Sequence, residues 1–188
     1  MTSLHPRLAA WMRGRFGALT EAQWLTLPHL IGGRSVLLSS PTGSGKTLAG
    51  FLGVLDHLLR AHEAGELGVE TRTVYVSPLR ALTYDIQKNL AEPLREMGLD
   101  EVIRIGLRSG DTSAADRAKL RKRPPHILLT TPESLAIMLP QEAQARALRA
   151  CRFVIIDELH AVAETKRGAH LSLSLERLER LVACEGRT

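Results

Sequence analysis

The segment Ser40–Thr47 reads SPTGSGKT, and its residue types suit one task, the holding of a phosphate chain. Phosphate needs many hydrogen-bond donors and little steric bulk. Gly43 and Gly45 let the backbone curl until the N–H groups of Thr42, Gly43, Ser44 and Gly45 point inward. A helix opening at Lys46 adds the positive end of its dipole. The Lys46 ammonium then reaches the β- and γ-phosphates, and the Thr47 hydroxyl holds Mg²⁺. The usual pattern begins with Gly, where this chain has Ser40. A Gly-rich turn without function has no reason to carry Lys-Thr at this spacing, so nucleotide binding is the expectation.

A second cluster, Asp157-Glu158-Leu159-His160, closes the apolar run RFVIID. Nucleotide hydrolysis needs one carboxylate near Mg²⁺ and another to orient or deprotonate the attacking water. Asp157 is the candidate for the metal and Glu158 for the water. The plain alternative, a solvated acidic turn, is weak with a P-loop upstream. His160 alone reads as a packed or surface histidine, but its place in the tetrapeptide adds it to the catalytic set of Lys46, Asp157 and Glu158.

These groups need a scaffold that brings loop ends together. Apolar runs alternate with helical patterns, which predicts an α/β domain with a mostly parallel sheet and helices on both faces. Five strands are expected: Ser35–Ser40, Thr71–Ser77, Val102–Leu107, His126–Thr131 and Arg152–Asp157, the last being the most apolar and so the most buried. Helices are expected over Lys46–Ala61, Arg80–Met97 and Ala169–Val182 from the spacing of their apolar residues. Thr20 with Gln23 forms a capping-box pattern, Gly32-Gly33 ends the helix it opens, and Pro28 weakens or kinks that helix. Thr131-Pro132 marks another helix start.

The 188 residues suit one domain, 44% hydrophobic and 24% charged, so disorder is not expected. No run of about 18 apolar residues suggests a membrane helix. Cys151 and Cys184 cannot build a disulfide framework or a four-thiolate zinc site, which fits a reducing cytoplasm. The net charge of +5 permits nucleic-acid binding without establishing it, and 4% aromatics leave few residues for base stacking.

In order along the chain, SPTGSGKT and DELH resemble motifs I and II of the superfamily 2 helicases of the DExH type. VSPLRAL (Val76–Leu82), RSGDTS (Arg108–Ser113) and TTPESL (Thr130–Leu135) resemble the motifs between them, and LTEAQ (Leu19–Gln23) sits where the family has its Q-type motif. ETKRGAHLSLSLERL (Glu164–Leu178) is similar to the large helicase-related group, Lhr. The resemblance spans about Phe16 to Leu181. It implies a RecA-like P-loop NTPase domain that uses ATP and Mg²⁺ and binds DNA or RNA, preceded over residues 1–33 by helices with the Q-type motif and occupying 34–188.

The resemblance also implies roles. Gln23 reads the adenine edge or serves as the helix cap its pairing with Thr20 suggests; Phe16 stacks on adenine or makes a core or hinge contact. Pro78, Arg80, Gly110 and Thr131 follow strands, so they lie on the nucleic-acid face, where they hold phosphates without reading bases. Asp111 and Glu133 orient neighbours or cap a helix, and Lys166 and Arg167 are nucleic-acid or coupling residues. The basic run Arg117–Arg123 precedes a strand, which places it at the opposite edge as a solvated face or an accessory patch.

A helicase of this type works with two RecA-like domains, the second supplying arginines to the transition state. No Ser-Ala-Thr motif III appears before Thr188, so the expectation is a first RecA-like domain, truncated before motif III and lacking one central strand. The implied function is the ATP-binding N-terminal motor of an ATP-dependent helicase. The alternative is a non-catalytic nucleic-acid or partner-binding module that retains ATP affinity.

Overall fold

The computed structural model describes residues 4–41, 43–78, 86 and 90–183. These fall into two compact units: Met1–Leu67 with Glu96–Gly98, and Gly68–Arg95 with Leu99–Thr188.

The first unit is helical. Helix α1 (Pro6–Phe16) has a proline in its first turn, and α2 (Glu21–Ile31) opens with the Thr20–Gln23 capping box and contains Pro28. Helix α3 (Lys46–Glu63) buries Phe51, Leu52, Leu55, Leu58 and Leu59, the apolar stripe seen in its sequence. It comes so close to α2 that a Cβ on Gly53 would meet Leu30 Cβ at 2.8 Å. Asp56, buried on α3, accepts the backbone N–H of His5 at 2.5 Å and pairs with Arg60 Nε at 2.7 Å, so its charge is compensated.

The segment expected as a strand at Ser35–Ser40 is not one. Residues 34–41 form no helix and belong to no sheet among the described residues, and Leu37 is 85% exposed. Apolar pattern supplies propensity only; a strand exists through its ladder of hydrogen bonds to a neighbour.

The second unit carries a four-stranded parallel sheet of β1 (Thr73–Val76), β2 (Ile105–Arg108), β3 (Ile127–Thr130) and β4 (Phe153–Ile156), in the order β2-β3-β1-β4. Tyr75 pairs with Leu129 on one side and Ile155 on the other, while Leu107 pairs with Leu129. The central strands β1 and β3 are wholly buried. Strand β4, expected to be the deepest, is half-exposed, with Val154 at 40%. Its apolar sequence suits an interior strand, but its place in the order is an edge.

The helices of this unit are the segment 90–95 (α4), α5 (Ala114–Lys122), α6 (Pro132–Met138), α7 (Glu142–Leu148) and α8 (Lys166–Ala183). The rest of the helix expected over Arg80–Met97 lies largely outside the described residues. Val74, Val76 and Leu128 of the sheet form one core with Leu135, Met138, Leu148, Leu171 and Leu178 of the helices. His126 ties two strand entrances together: its Nδ1 accepts from Arg104 N at 3.2 Å and its Nε2 donates to Gly68 O at 2.9 Å. Burial, with the neighbouring Arg104, Arg72 and Arg123, pushes its pKa down to about 4 against a favourable bond to Gly68.

Candidate functional site

In the first unit, the P-loop and the Q-type segment form one hydrogen-bonded assembly. Gly43 and Gly45 both adopt the left-handed region, at φ +82° and +84°. Gly45 is the N-cap of α3, and a Cβ there would lie 2.7 Å from Gln23 Nε2, so only glycine fits. The helix N-terminus has no side-chain cap and no acidic residue in its first turn, which leaves its N–H groups for an anion. Lys46 donates to the carbonyls of Ser40 and, at 3.2 Å, of Pro41, folding back over its own loop. Ser40, at the position where the usual pattern has Gly, shares a hydrogen bond of 2.6 Å with the Ser44 hydroxyl. Thr47 is half-buried in the first turn of α3. Thr42 lies outside the described residues.

Gln23 is buried, and its Oε1 accepts from Thr20 N at 3.1 Å. The Thr20 hydroxyl accepts from Gln23 N at 3.4 Å and donates to Ser44 O at 3.0 Å. Of the two roles weighed for Gln23, the cap is made here, with its amide nitrogen facing Gly45. Phe16 is half-exposed and packs edge-on against Trp11, ring centroids 5.6 Å apart.

In the second unit, the C-terminal ends of four parallel strands face one edge, the usual ligand edge of an open α/β sheet. Asp157 follows β4 and its N–H bonds Val76 O at 3.0 Å, which continues the ladder. Its Oδ1 accepts from Glu158 N at 3.0 Å and its Oδ2 accepts from the Tyr75 hydroxyl. Burial, then that bond and the charges of Asp157 and Glu158, hold the Tyr75 phenol well above its ordinary range, so it stays a donor. Glu158 sits at φ +50°, the only non-glycine residue with positive φ among the described residues. Strain of this kind concentrates at functional sites. His160, in the 3-10 turn Leu159–Ala161, is exposed and lies 3.3 Å from Glu158 Oε2 through its Nε2.

The candidate nucleic-acid residues of this unit divide by what their side chains do. Arg167, in the first turn of α8, donates to Glu133 Oε1 at 2.5 Å and to Pro78 O at 2.9 Å, joining three elements at the sheet edge. Burial would raise Glu133, but the bond from Arg167 and its charge bring the carboxyl below its usual range. Thr131 is buried and caps α6: its hydroxyl accepts from Ser134 N at 3.3 Å. Lys166 is exposed, and so is Gly110 at the tip of the loop after β2. Arg80 lies outside the described residues.

Two residues at this edge carried no sequence signal. One is Tyr75, whose bond to Asp157 depends on which strands are neighbours. The other is Arg117, expected with the rest of its basic run at the opposite edge. Its side chain instead folds back along α5 and donates to Thr112 O at 2.8 Å and Gly110 O at 3.0 Å. Arg123, at the end of the run, does lie at the entrance edge, beside Arg104 and His126.

Residues 20–186 match the family model described as DEAD/DEAH box helicase. The chain is 47% identical over 186 residues to the ATP-dependent helicase Lhr-Core of Methanothermobacter thermautotrophicus, covering 95% of this chain and 22% of that one. It is also 47% identical to the Lhr helicase/uracil glycosylase of Escherichia coli, covering 94% of this chain and 12% of the relative. The structure of Mycobacterium smegmatis helicase Lhr bound to ssDNA and AMP-PNP superposes with a TM-score of 0.85 at 42% identity, over 95% of this chain and 23% of that one. The chain therefore spans less than a quarter of these relatives. The parallel-sheet α/β architecture is that of RecA-like helicase domains.

Proposed function

Because the chain belongs to the DEAD/DEAH box helicase family, we propose that it is the ATP-binding motor segment of an ATP-dependent DNA or RNA helicase of the Lhr type, working in the cytoplasm on single-stranded nucleic acid. The observation that carries the proposal is the P-loop: two left-handed glycines lead into an 18-residue helix whose N-terminus no side chain caps.

In this reading the backbone N–H groups of Thr42 to Gly45 cradle the phosphates, and Lys46 leaves the Ser40 and Pro41 carbonyls for them. Gln23 meets the adenine edge or, as cap, holds the loop through Thr20 and Ser44. Thr47 of the first unit and Asp157 of the second each offer a hard oxygen donor, a hydroxyl and a carboxylate, of the kind Mg²⁺ takes. When bound, that ion supplies positive charge against the phosphate oxygens. Glu158 orients or deprotonates the attacking water, and His160 couples the acidic turn to its surroundings. Tyr75 holds one oxygen of Asp157 in place.

Gly110, Lys166 and Arg167, with Arg80, are assigned to the nucleic-acid backbone; Pro78, buried and without an N–H, acts through the bond its carbonyl accepts from Arg167, and Thr131 acts by setting the start of α6. Phosphate contacts of this kind give binding that is indifferent to sequence and falls steeply with salt. The test is fluorescence anisotropy of a labelled single strand against the chain over a salt series. Lys166→Ala with Arg167→Ala is expected to weaken binding and flatten the salt slope, and Thr131→Ala is checked separately for stability because it removes a cap. Binding that is unchanged in the double variant would place the nucleic acid elsewhere.

A further inference from the structure

Arg108 is the last residue of β2, and it is 8% exposed. A buried guanidinium is costly unless a carboxylate or several acceptors compensate it. Among the described residues the guanidinium has no acidic partner, and its one hydrogen bond is a long one of 3.4 Å to Ser109 O. Two more arginines, Arg117 and Arg121 of α5, line the same cavity with Arg108. Neither forms an ion pair with an acid among the described residues. Burial and then the charges of these two arginines lower the pKa of Arg108, which means that both repel its guanidinium.

The cavity they line has a volume of about 30 Å³ and an apolar floor of Leu120, Leu128 and Met138. Leu128 stands opposite Gly106 in the β2–β3 register, and a Cβ on Gly106 would meet Leu120 at 2.6 Å, so α5 lies directly on this sheet face. Three positive side chains around a mostly apolar hollow form an arrangement that one bound anion would stabilise. Guanidinium groups match the oxygen geometry of phosphate, and low-dielectric walls strengthen the pairing.

We propose that Arg108, Arg117 and Arg121 form a binding site for a phosphate-type oxyanion, separate from the P-loop. The anion is a free phosphate group or one phosphate of a nucleic-acid backbone; the recognition chemistry is the same. Arg117 also holds the carbonyls of Gly110 and Thr112, so the site adjoins the loop after β2.

The test uses the 188-residue chain with Lys46→Ala as background, so that the P-loop does not contribute. Inorganic phosphate is titrated and followed by ³¹P line broadening, at ionic strength held constant with chloride. Saturable binding is expected. Arg121→Gln should weaken it roughly tenfold, the equivalent of one charge-assisted hydrogen bond. Lys122→Gln removes the same charge from the same helix outside the cavity and should leave the affinity unchanged. Arg108→Met should abolish binding; if that variant does not fold, Arg117→Gln takes its place. Displacement of phosphate by a short single strand assigns the anion to a nucleic-acid backbone, and persistence assigns it to a free oxyanion. Equal weakening by Arg121→Gln and Lys122→Gln, or no saturable binding, overturns the proposal.

Discussion

The buried imidazole of His126 couples protonation to folding. In the folded protein its pKa is about 4, against 6.5 for the free side chain. Below about pH 6.5 the unfolded chain takes up a proton that the folded one refuses. This contribution to stability is therefore complete above pH 6.5 and is lost as the pH falls toward 4, by about 2–3 kcal/mol. Urea unfolding at pH 7 and pH 4.5 checks it: His126→Gln should show a smaller loss than the wild type. An equal loss in both proteins would remove His126 as the cause. Tyr75 adds a second residue-scale expectation. Tyr75→Phe removes the hydroxyl that Asp157 accepts and leaves a half-buried acceptor short of a partner, which costs about 1 kcal/mol. The same variant should weaken Mn²⁺ binding, followed by electron paramagnetic resonance, if Tyr75 orients the metal ligand; unchanged Mn²⁺ affinity would leave it a packing residue.

Between elements, the tightest junction is the start of α8 against the turn that follows β4. A Cβ on Gly168 would lie 2.3 Å from Val162 O and 3.0 Å from Ala163 O, both backbone atoms that cannot rotate away. Gly168→Ala should push α8 off the 3-10 turn and cost about 1–3 kcal/mol, read as a lower urea midpoint; an unchanged midpoint would mean that the turn yields freely. The glycine stands in the sequence segment that resembles the Lhr group, but its steric reason is visible only once α8 and the turn are packed together. Much else was legible: α2 begins at its capping box, α3 follows its apolar spacing, and four of the five expected strands are present. Those features rest on local pattern. The errors concern neighbours. Ser35–Ser40 has strand-like residues but no described pairing partner, and Arg152–Asp157 has an interior strand's sequence at a sheet edge. Arg117 was misplaced because its chain position says nothing about the direction in which a long side chain folds. The P-loop and the acidic turn were legible because their chemistry restricts residue type and spacing together.

At the scale of the molecule, the account rests on the first unit binding a nucleotide through the P-loop. The geometry there is explicit: Lys46 is held by carbonyls of its own loop, and the α3 N-terminus is open to an anion. Exchanging those carbonyls for phosphates replaces a neutral acceptor with a charged one, so the lysine should be worth more with nucleotide bound than without it. Lys46→Ala should therefore reduce affinity far more than it reduces stability. The decisive measurement is isothermal calorimetry of Mg²⁺-ATP against the 188-residue chain and its Lys46→Ala variant, with folding of both verified by circular dichroism. The account predicts saturable binding to the wild-type chain and loss of most of it in the variant, a drop of about tenfold or more. Equal affinity in the two proteins, or no binding to the folded wild-type chain, would contradict it.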